Sequence, residues 1–280
     1  MKNKKILVTG ANGYLGRHVV KYLLDAGCEV LAADIRFEGM DERAIQVKEP
    51  IFSGDPDLYQ KVGAPDACIH MAWRDGFKHN SPAHMTDLSN HFTFLKNMLD
   101  GGLKQIAVMG SMHEVGYWEG AVDENTPTNP MSQYAIAKNA LRQSLFLLAK
   151  DYDDVAVQWL RGYYITGDDE LSNSIFAKIM QAEKEGKATF PFTSGKNKYD
   201  FIDIKEMAAD ISCAVMQREV TGIINCCSGE PMSLADRVEA FIKEHDYKIK
   251  LEYGAFPDRP YDSPAIWGDA KKIKQIRAMF

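Results

Sequence analysis

The stretch Val8–Gly16, "VTGANGYLG", constrains this chain more than any other. It follows an apolar run, "KILV", that reads as a strand, and it opens residues 14–26, which read as an amphipathic helix. Glycines recur at Gly10, Gly13 and Gly16. The first permits a tight turn, the second lets backbone approach a ligand, and the third lets the helix pack close to the strand. The start of that helix favours an anion such as a pyrophosphate. A strand–helix turn of this kind also exists without a ligand, so a second feature is needed. Asp34 closes the next apolar run, "EVLAAD", 24 residues after Gly10. A carboxylate there accepts hydrogen bonds from ribose hydroxyls and repels a 2′-phosphate. Together these predict NAD as cofactor; Arg36, two residues on, keeps NADP open.

Further apolar runs, "ACIHMA", "QIAVMGS" and "VAVQWLRG", alternate with helical stretches near 82–101 and 131–150. Strands that are apolar on both faces and separated by helices predict a parallel sheet with right-handed crossovers. The expected fold class is α/β: a Rossmann-like, doubly wound parallel sheet over residues 1–167. A smaller, loop-rich substrate-binding region is expected over 168–280, with part of 200–228 packing back on the first domain. A net charge of −6 argues against a nucleic-acid partner. No apolar run approaches the length of a membrane span, and "MKNKKILVTG" is too short in apolar residues for a signal peptide. Cys28, Cys68, Cys213, Cys226 and Cys227 are odd in number and lack a C-x-x-C pair, which predicts reduced thiols in a cytoplasmic protein. The histidines show no metal-ligand spacing, and no metal is expected.

Tyr134 and Lys138 stand i and i+4 in a helical stretch, and therefore on one face. A phenol has a reference pKa near ~10. A neighbouring ammonium favours the phenolate, so Tyr134 can exchange a proton with a hydroxyl or carbonyl that is being oxidised or reduced. Ser111 ends "QIAVMGS", at the carboxyl end of a strand where open α/β sheets bind ligands, and can hydrogen-bond the same oxygen.

With these motifs in view, the chain resembles an extended short-chain dehydrogenase/reductase of the nucleotide-sugar epimerase/dehydratase group. "VTGANGYLG", "SGDPD", "HMAW", "DENTPTNPMSQYAIAK", "LRGYYITG", "YDFIDIKEMA", "GIINCCSGEPMSL" and "RPYDSP" carry the likeness over nearly the whole length. The resemblance implies that Tyr14, Leu15 and Ala72 border the cofactor, with Asp55 near the adenine amine. Ser111, Tyr134 and Lys138 would be the reacting set, and Lys138 would also hold the cofactor ribose. Trp73, His113 and Tyr164 would border the sugar, Arg259 would face the pyrophosphate, and Asp262 the nucleotide ribose. A homodimer through the two long helices is a further implication.

Four departures from the family pattern bear on function. Trp73 replaces a small residue, Tyr164 replaces an asparagine, and Lys198 and Tyr199 stand where an arginine is common. The fourth is "SMHEVG". Without a gap, Ser111 takes the family's serine position; matching Val115 instead puts Met112 there, which cannot donate a hydrogen bond. The acid pair that dehydratases carry after this residue is then absent, unless His113 and Glu114 assume acid and base roles. The expected activity is an NAD-dependent reductase or dehydrogenase acting at a sugar carbon, C4 foremost. An epimerase or dehydratase with internally recycled NAD stays open. So do a non-sugar alcohol substrate and, from a different class, a non-catalytic NAD(P)-binding sensor or scaffold.

Overall fold

A computed structural model describes residues 4–167, 172, 174–258 and 262–280. Seven parallel strands form the central sheet. Their spatial order is Gly222–Cys226, Ala156–Gly162, Gln105–Ser111, Ala67–His70, Lys5–Thr9, Glu29–Ala33 and Ile45–Val47. The chain enters at Lys5–Thr9 and winds first one way, to Glu29–Ala33, then the other, to Ala67–His70. A crevice forms at the carboxyl ends of the strands where that order reverses.

The strands read as continuous apolar runs because both faces are covered. One side packs Val19, Val20 and Leu23 of the helix Gly16–Asp25 with Met207, Ile211 and Val215 of the helix Ile204–Met216. The other packs Phe94, Leu95 and Met98 of the helix Leu88–Asp100 with Leu141 and Leu145 of the helix Gln133–Leu148. Each fully buried side chain of this size contributes about 1.5–3 kcal/mol. The helical stretch expected over 82–101 is divided into Ala83–Thr86 and Leu88–Asp100. The division falls at Asp87, whose carboxylate accepts two hydrogen bonds from Arg74, each of 2.9 Å.

The C-terminal part contributes to both layers of the molecule. Strand Gly222–Cys226 and helix Lys271–Arg277 join the main sheet and its core. Helices Ile175–Lys184 and Leu234–Glu244 enclose a separate small core of Phe176, Ile179, Phe192, Val238 and Phe241. The strand Lys198–Asp203 runs between Pro231–Ser233 and Ala265–Gly268. Asp200, fully buried, ties these pieces together: it accepts from Ser228 N, Ser228 Oγ, Gly229 N and Gly268 N. Among the described residues, no helix is long and apolar enough to cross a membrane.

Candidate active site

The glycine turn is built by close approach. Gly10 has φ +69°, and a Cβ on it would stand 2.8 Å from Ala72 N. A Cβ on Gly16 would stand 2.0 Å from Gly10 O. Gly13 donates its N–H to Gly10 O at 3.1 Å. The Ala72 loop is fixed from behind by a buried polar thread. Thr9 Oγ1 accepts from Met71 N and Ala72 N, so its own proton goes to His70 Nδ1 at 2.8 Å. His70 Nε2–H then donates to His91 Nδ1 at 2.9 Å. Burial holds His70 well below the usual imidazole range and His91 down at about 3, which keeps both neutral and the donor order fixed.

Asp34 lies at the end of its strand and lines the cleft. Its Oδ2 accepts from Asn12 N at 2.9 Å and its Oδ1 from Ile35 N at 2.7 Å. The carboxylate is thereby locked to the glycine turn. Leu15 and Ala72 line the same cleft, as does Tyr14, whose hydroxyl donates to Gly167 O. Arg36 and Asp55 do not line it. The Arg36 carbonyl accepts from Asn12 Nδ2, while the Asp55 carboxylate is taken by Lys61 and Asp57 N. The glycine cradle, which a Cβ would fill, and the clamped Asp34 fit a dinucleotide with free ribose hydroxyls. Asp34→Ala is expected to raise the dissociation constant for NADH roughly tenfold, the worth of one charge-assisted hydrogen bond. It should narrow the gap to NADPH; titration of both by fluorescence reads this.

The cleft, about 1770 Å³, continues to the ends of strands Gln105–Ser111 and Ala156–Gly162. Ser132 caps the helix Gln133–Leu148, accepting from Ala135 N at 3.2 Å. Tyr134 N donates to the His79 carbonyl at 2.8 Å, which pins the helix start to the distant loop before Ala83–Thr86. The Tyr134 ring stacks on His79, with centroids 5.2 Å apart, and meets Trp73 edge-on at 6.1 Å. Lys138 Nζ donates to Met109 O at 2.7 Å and sits 3.7 Å above the Trp73 ring. Trp73 is itself held: its Nε1 donates to His84 Nδ1 at 3.0 Å, and its ring stacks on His91 at 4.2 Å.

The proximity of Lys138 and Tyr134 does not by itself give the lowered phenol pKa that the spacing suggests. Burial pushes Tyr134 up to about 12, against the pull of the Ser111 hydroxyl. Burial likewise pushes Lys138 down to about 7, while the Glu114 carboxylate supports its charge. The reason is geometric, since the ammonium is turned to Met109 O and Trp73 rather than to the phenol.

At "SMHEVG" the choice between alignments becomes a matter of position. Ser111 lines the cleft and faces Tyr134. Met112, at 5% exposure, also borders the cleft while packing into the core, but its thioether has no proton to donate. His113 lines the cleft with its ring 4.7 Å from His79, and burial holds its imidazole down at about 4. Glu114 has no exposed surface and points away from the cleft, bonded to Ser111 N and Trp159 Nε1. It has no route to a substrate proton. Tyr164 lines the cleft within an aromatic wall with Tyr199 and Phe201, and Asp262 lines it too. Arg259 lies outside the described residues. His79 was not foreseeable: in "GFKHNSP" it is a lone loop histidine, and only the fold stacks it on Tyr134. Among the described residues no group of three or more His, Cys, Asp or Glu is arranged for a metal ion.

A parallel sheet with a glycine-cradled crevice, an acidic residue closing its second strand, and a serine, tyrosine and lysine at one end defines a nucleotide-dependent oxidoreductase. A model of the NAD dependent epimerase/dehydratase family matches residues 6–227, and the chain belongs to that family. The dTDP-6-deoxy-L-talose 4-dehydrogenase (NAD(+)) of Aggregatibacter actinomycetemcomitans is 46% identical over 272 residues, covering 94% of this chain and 98% of that one. The UDP-glucose 4-epimerase of Lactobacillus helveticus is 21% identical, covering 97% and 90%. Among solved structures, the UDP-N-acetylglucosamine 4-epimerase from Methanobrevibacter ruminantium M1 superposes with a TM-score of 0.85 at 21% identity, covering 99% and 92%. The chain is thus an NAD-dependent enzyme of this family.

Proposed function

We propose that this protein oxidises the C4 hydroxyl of a nucleotide-activated 6-deoxyhexose with NAD, or reduces the corresponding ketone. The observation that carries the substrate class is the 46% identity, end to end, with a 4-dehydrogenase of such a sugar. In this reading Tyr134 takes the hydroxyl proton and Ser111 donates a hydrogen bond to the same oxygen. Lys138, whose ammonium is turned to Met109 O and Trp73, would hold the cofactor ribose. NAD, when bound, accepts the hydride from the carbon and in its oxidised form adds a positive charge that favours phenolate. His113, Tyr164 and Asp262 border the sugar nucleotide. Residues 1–167 supply the cofactor side and part of that wall, through His113 and Tyr164, and residues 168–280 add Asp262 to it.

The experiment is direct. Purified protein is given dTDP- and UDP-linked 6-deoxyhexoses with NAD, and the reduced nicotinamide is followed by absorbance. Stoichiometric NADH with a C4 ketone product supports the reading. No net NADH with two C4 epimers recovered would replace it with an epimerase, and no turnover of any nucleotide sugar would remove it.

Trp73 favours the dehydrogenase over the epimerase. Its ring is fixed on three sides, by His84, His91 and Lys138, so the space beside Tyr134 is rigid, whereas a keto sugar must turn over to be epimerised. Trp73→Ala removes a buried cation–π contact worth ~2 kcal/mol. It is expected to lower kcat on the order of tenfold and to let a detectable fraction of product return as the other C4 epimer.

A homodimer is proposed through the helix Gln133–Leu148, where Ile136 and Leu147 are exposed, the latter at 67%; sedimentation decides. Five free, buried cysteines support a cytoplasmic, reducing location.

A further inference from the structure

Beneath the reacting residues lies a buried charge cluster that the proposed chemistry does not use. Glu114 and Arg161 have no exposed surface, and Arg142 packs beside them. Glu114 Oε1 accepts from Ser111 N at 2.7 Å and from Trp159 Nε1 at 2.9 Å. Oε2 lies 3.4 Å from Arg142 Nε and 3.9 Å from Arg161 Nη2, and neither nitrogen completes a hydrogen bond. Buried ions of this kind often contribute less to stability than an apolar replacement would. The cluster therefore calls for a reason other than stability.

The geometry points to Ser111. The short helix Met112–Glu114 is closed at its start by a reciprocal pair: the Ser111 hydroxyl accepts from His113 N, and the Glu114 carboxylate accepts from Ser111 N. With an acceptor site of Ser111 Oγ occupied by a backbone donor, its one proton is free to be donated toward Tyr134 and a substrate oxygen. Strand and carboxylate are fitted to each other at Gly110, where a Cβ would stand 2.1 Å from Trp159 Nε1 and 2.8 Å from Glu114 Oε1. The carboxylate's charge also reaches the site, since it supports the charged form of Lys138.

We propose that Glu114 is a positioning residue that acts through Ser111. Its carboxylate, clamped by Trp159 and faced by Arg142 and Arg161, fixes the Ser111 backbone so that the hydroxyl presents its proton to the reacting oxygen. This rests on the assignment of Ser111 and Tyr134 as reacting residues.

The test is a double-mutant cycle on full-length protein with NAD and the sugar nucleotide, read as kcat and KM, together with NADH affinity by fluorescence. Ser111→Ala and Glu114→Ala are each expected to lower kcat on the order of 10²-fold, the worth of one preorganised donor. NADH affinity should stay within about twofold. Glu114→Ala in the Ser111→Ala background should lower kcat no further, because the group it positions is gone. Independent, multiplying losses, or a loss of NADH binding matching that of kcat, would overturn the proposal and leave Ser111 as assigned. No loss in Ser111→Ala alone would overturn the underlying assignment and the proposal with it. If Glu114→Ala does not fold, Trp159→Phe, which removes the indole donor and keeps a ring, takes its place in the same cycle. A kcat loss that Ser111→Ala absorbs supports the proposal, and one that multiplies overturns it.

Discussion

Tyr134→Phe is expected to lower kcat by about 10³-fold or more while leaving NADH affinity within roughly twofold, as befits loss of a general acid–base group. The substitution removes one hydroxyl and keeps the ring that packs between His79 and Trp73, so the fold should be unmoved. The size of the loss follows from how the phenol is held. Even with the Ser111 hydroxyl pulling it down, burial holds the phenol up at about 12, so the phenolate depends on the positive charge that oxidised NAD would add when bound. Alcohol oxidation needs the phenolate, so the wild-type rate should climb with pH, and ketone reduction, which needs the phenol, should fall. In Tyr134→Phe both limbs should flatten together. A variant with the parent rate and the parent pH profile would dismiss Tyr134 as the proton-handling residue and require another group in the cleft, such as His79, which stacks on its ring.

The cofactor end of this molecule was legible because it depends on local chemistry. Gly10 and Gly16 announce themselves as residues without a Cβ, and Asp34 as an acid at the end of an apolar run. The alternating strands and helices likewise gave the parallel sheet, since burial on both faces leaves a run of apolar residues. The reaction end was legible only as a set of residue types. That Lys138 turns to Met109 O, that Trp73 covers its ammonium, and that His79 stacks on Tyr134 are consequences of packing between distant segments. Asp55 shows the limit of carrying a motif over by resemblance. Its segment stands at the expected place in the chain, yet its carboxylate is taken by Lys61 and by the backbone of the next turn. Glu114 shows it again: adjacent in sequence to a cleft residue, it is turned under the sheet's edge by Trp159, from a strand 45 residues away.

Gly16→Ala is expected to abolish measurable cofactor binding and to destabilise the fold by about 3 kcal/mol, the upper end for overpacking a tight site. In a chain of this size that is a fall of roughly 5 °C in Tm. The added Cβ would lie 2.0 Å from Gly10 O and 3.0 Å from Ala11 C, both backbone atoms, so no side chain can swing aside to make room. Relief requires the helix Gly16–Asp25 to move off the strand that it covers. That same movement carries the N-terminal N–H groups away from where an anion would sit. Gly13→Ala is the control within the same turn. Its Cβ would meet only Gly10 O, at 3.2 Å, and Gly13 has no positive φ to give up. It should cost under about 1 kcal/mol of stability yet weaken NADH binding measurably, because the methyl group occupies the approach to the pyrophosphate. Calorimetry with and without NADH separates the two. A large stability loss confined to Gly16→Ala, beside an affinity loss in both, means that the third glycine serves packing and the second serves the ligand. Equal behaviour of the two variants would mean that the turn relaxes as a unit, and that this division of labour is wrong.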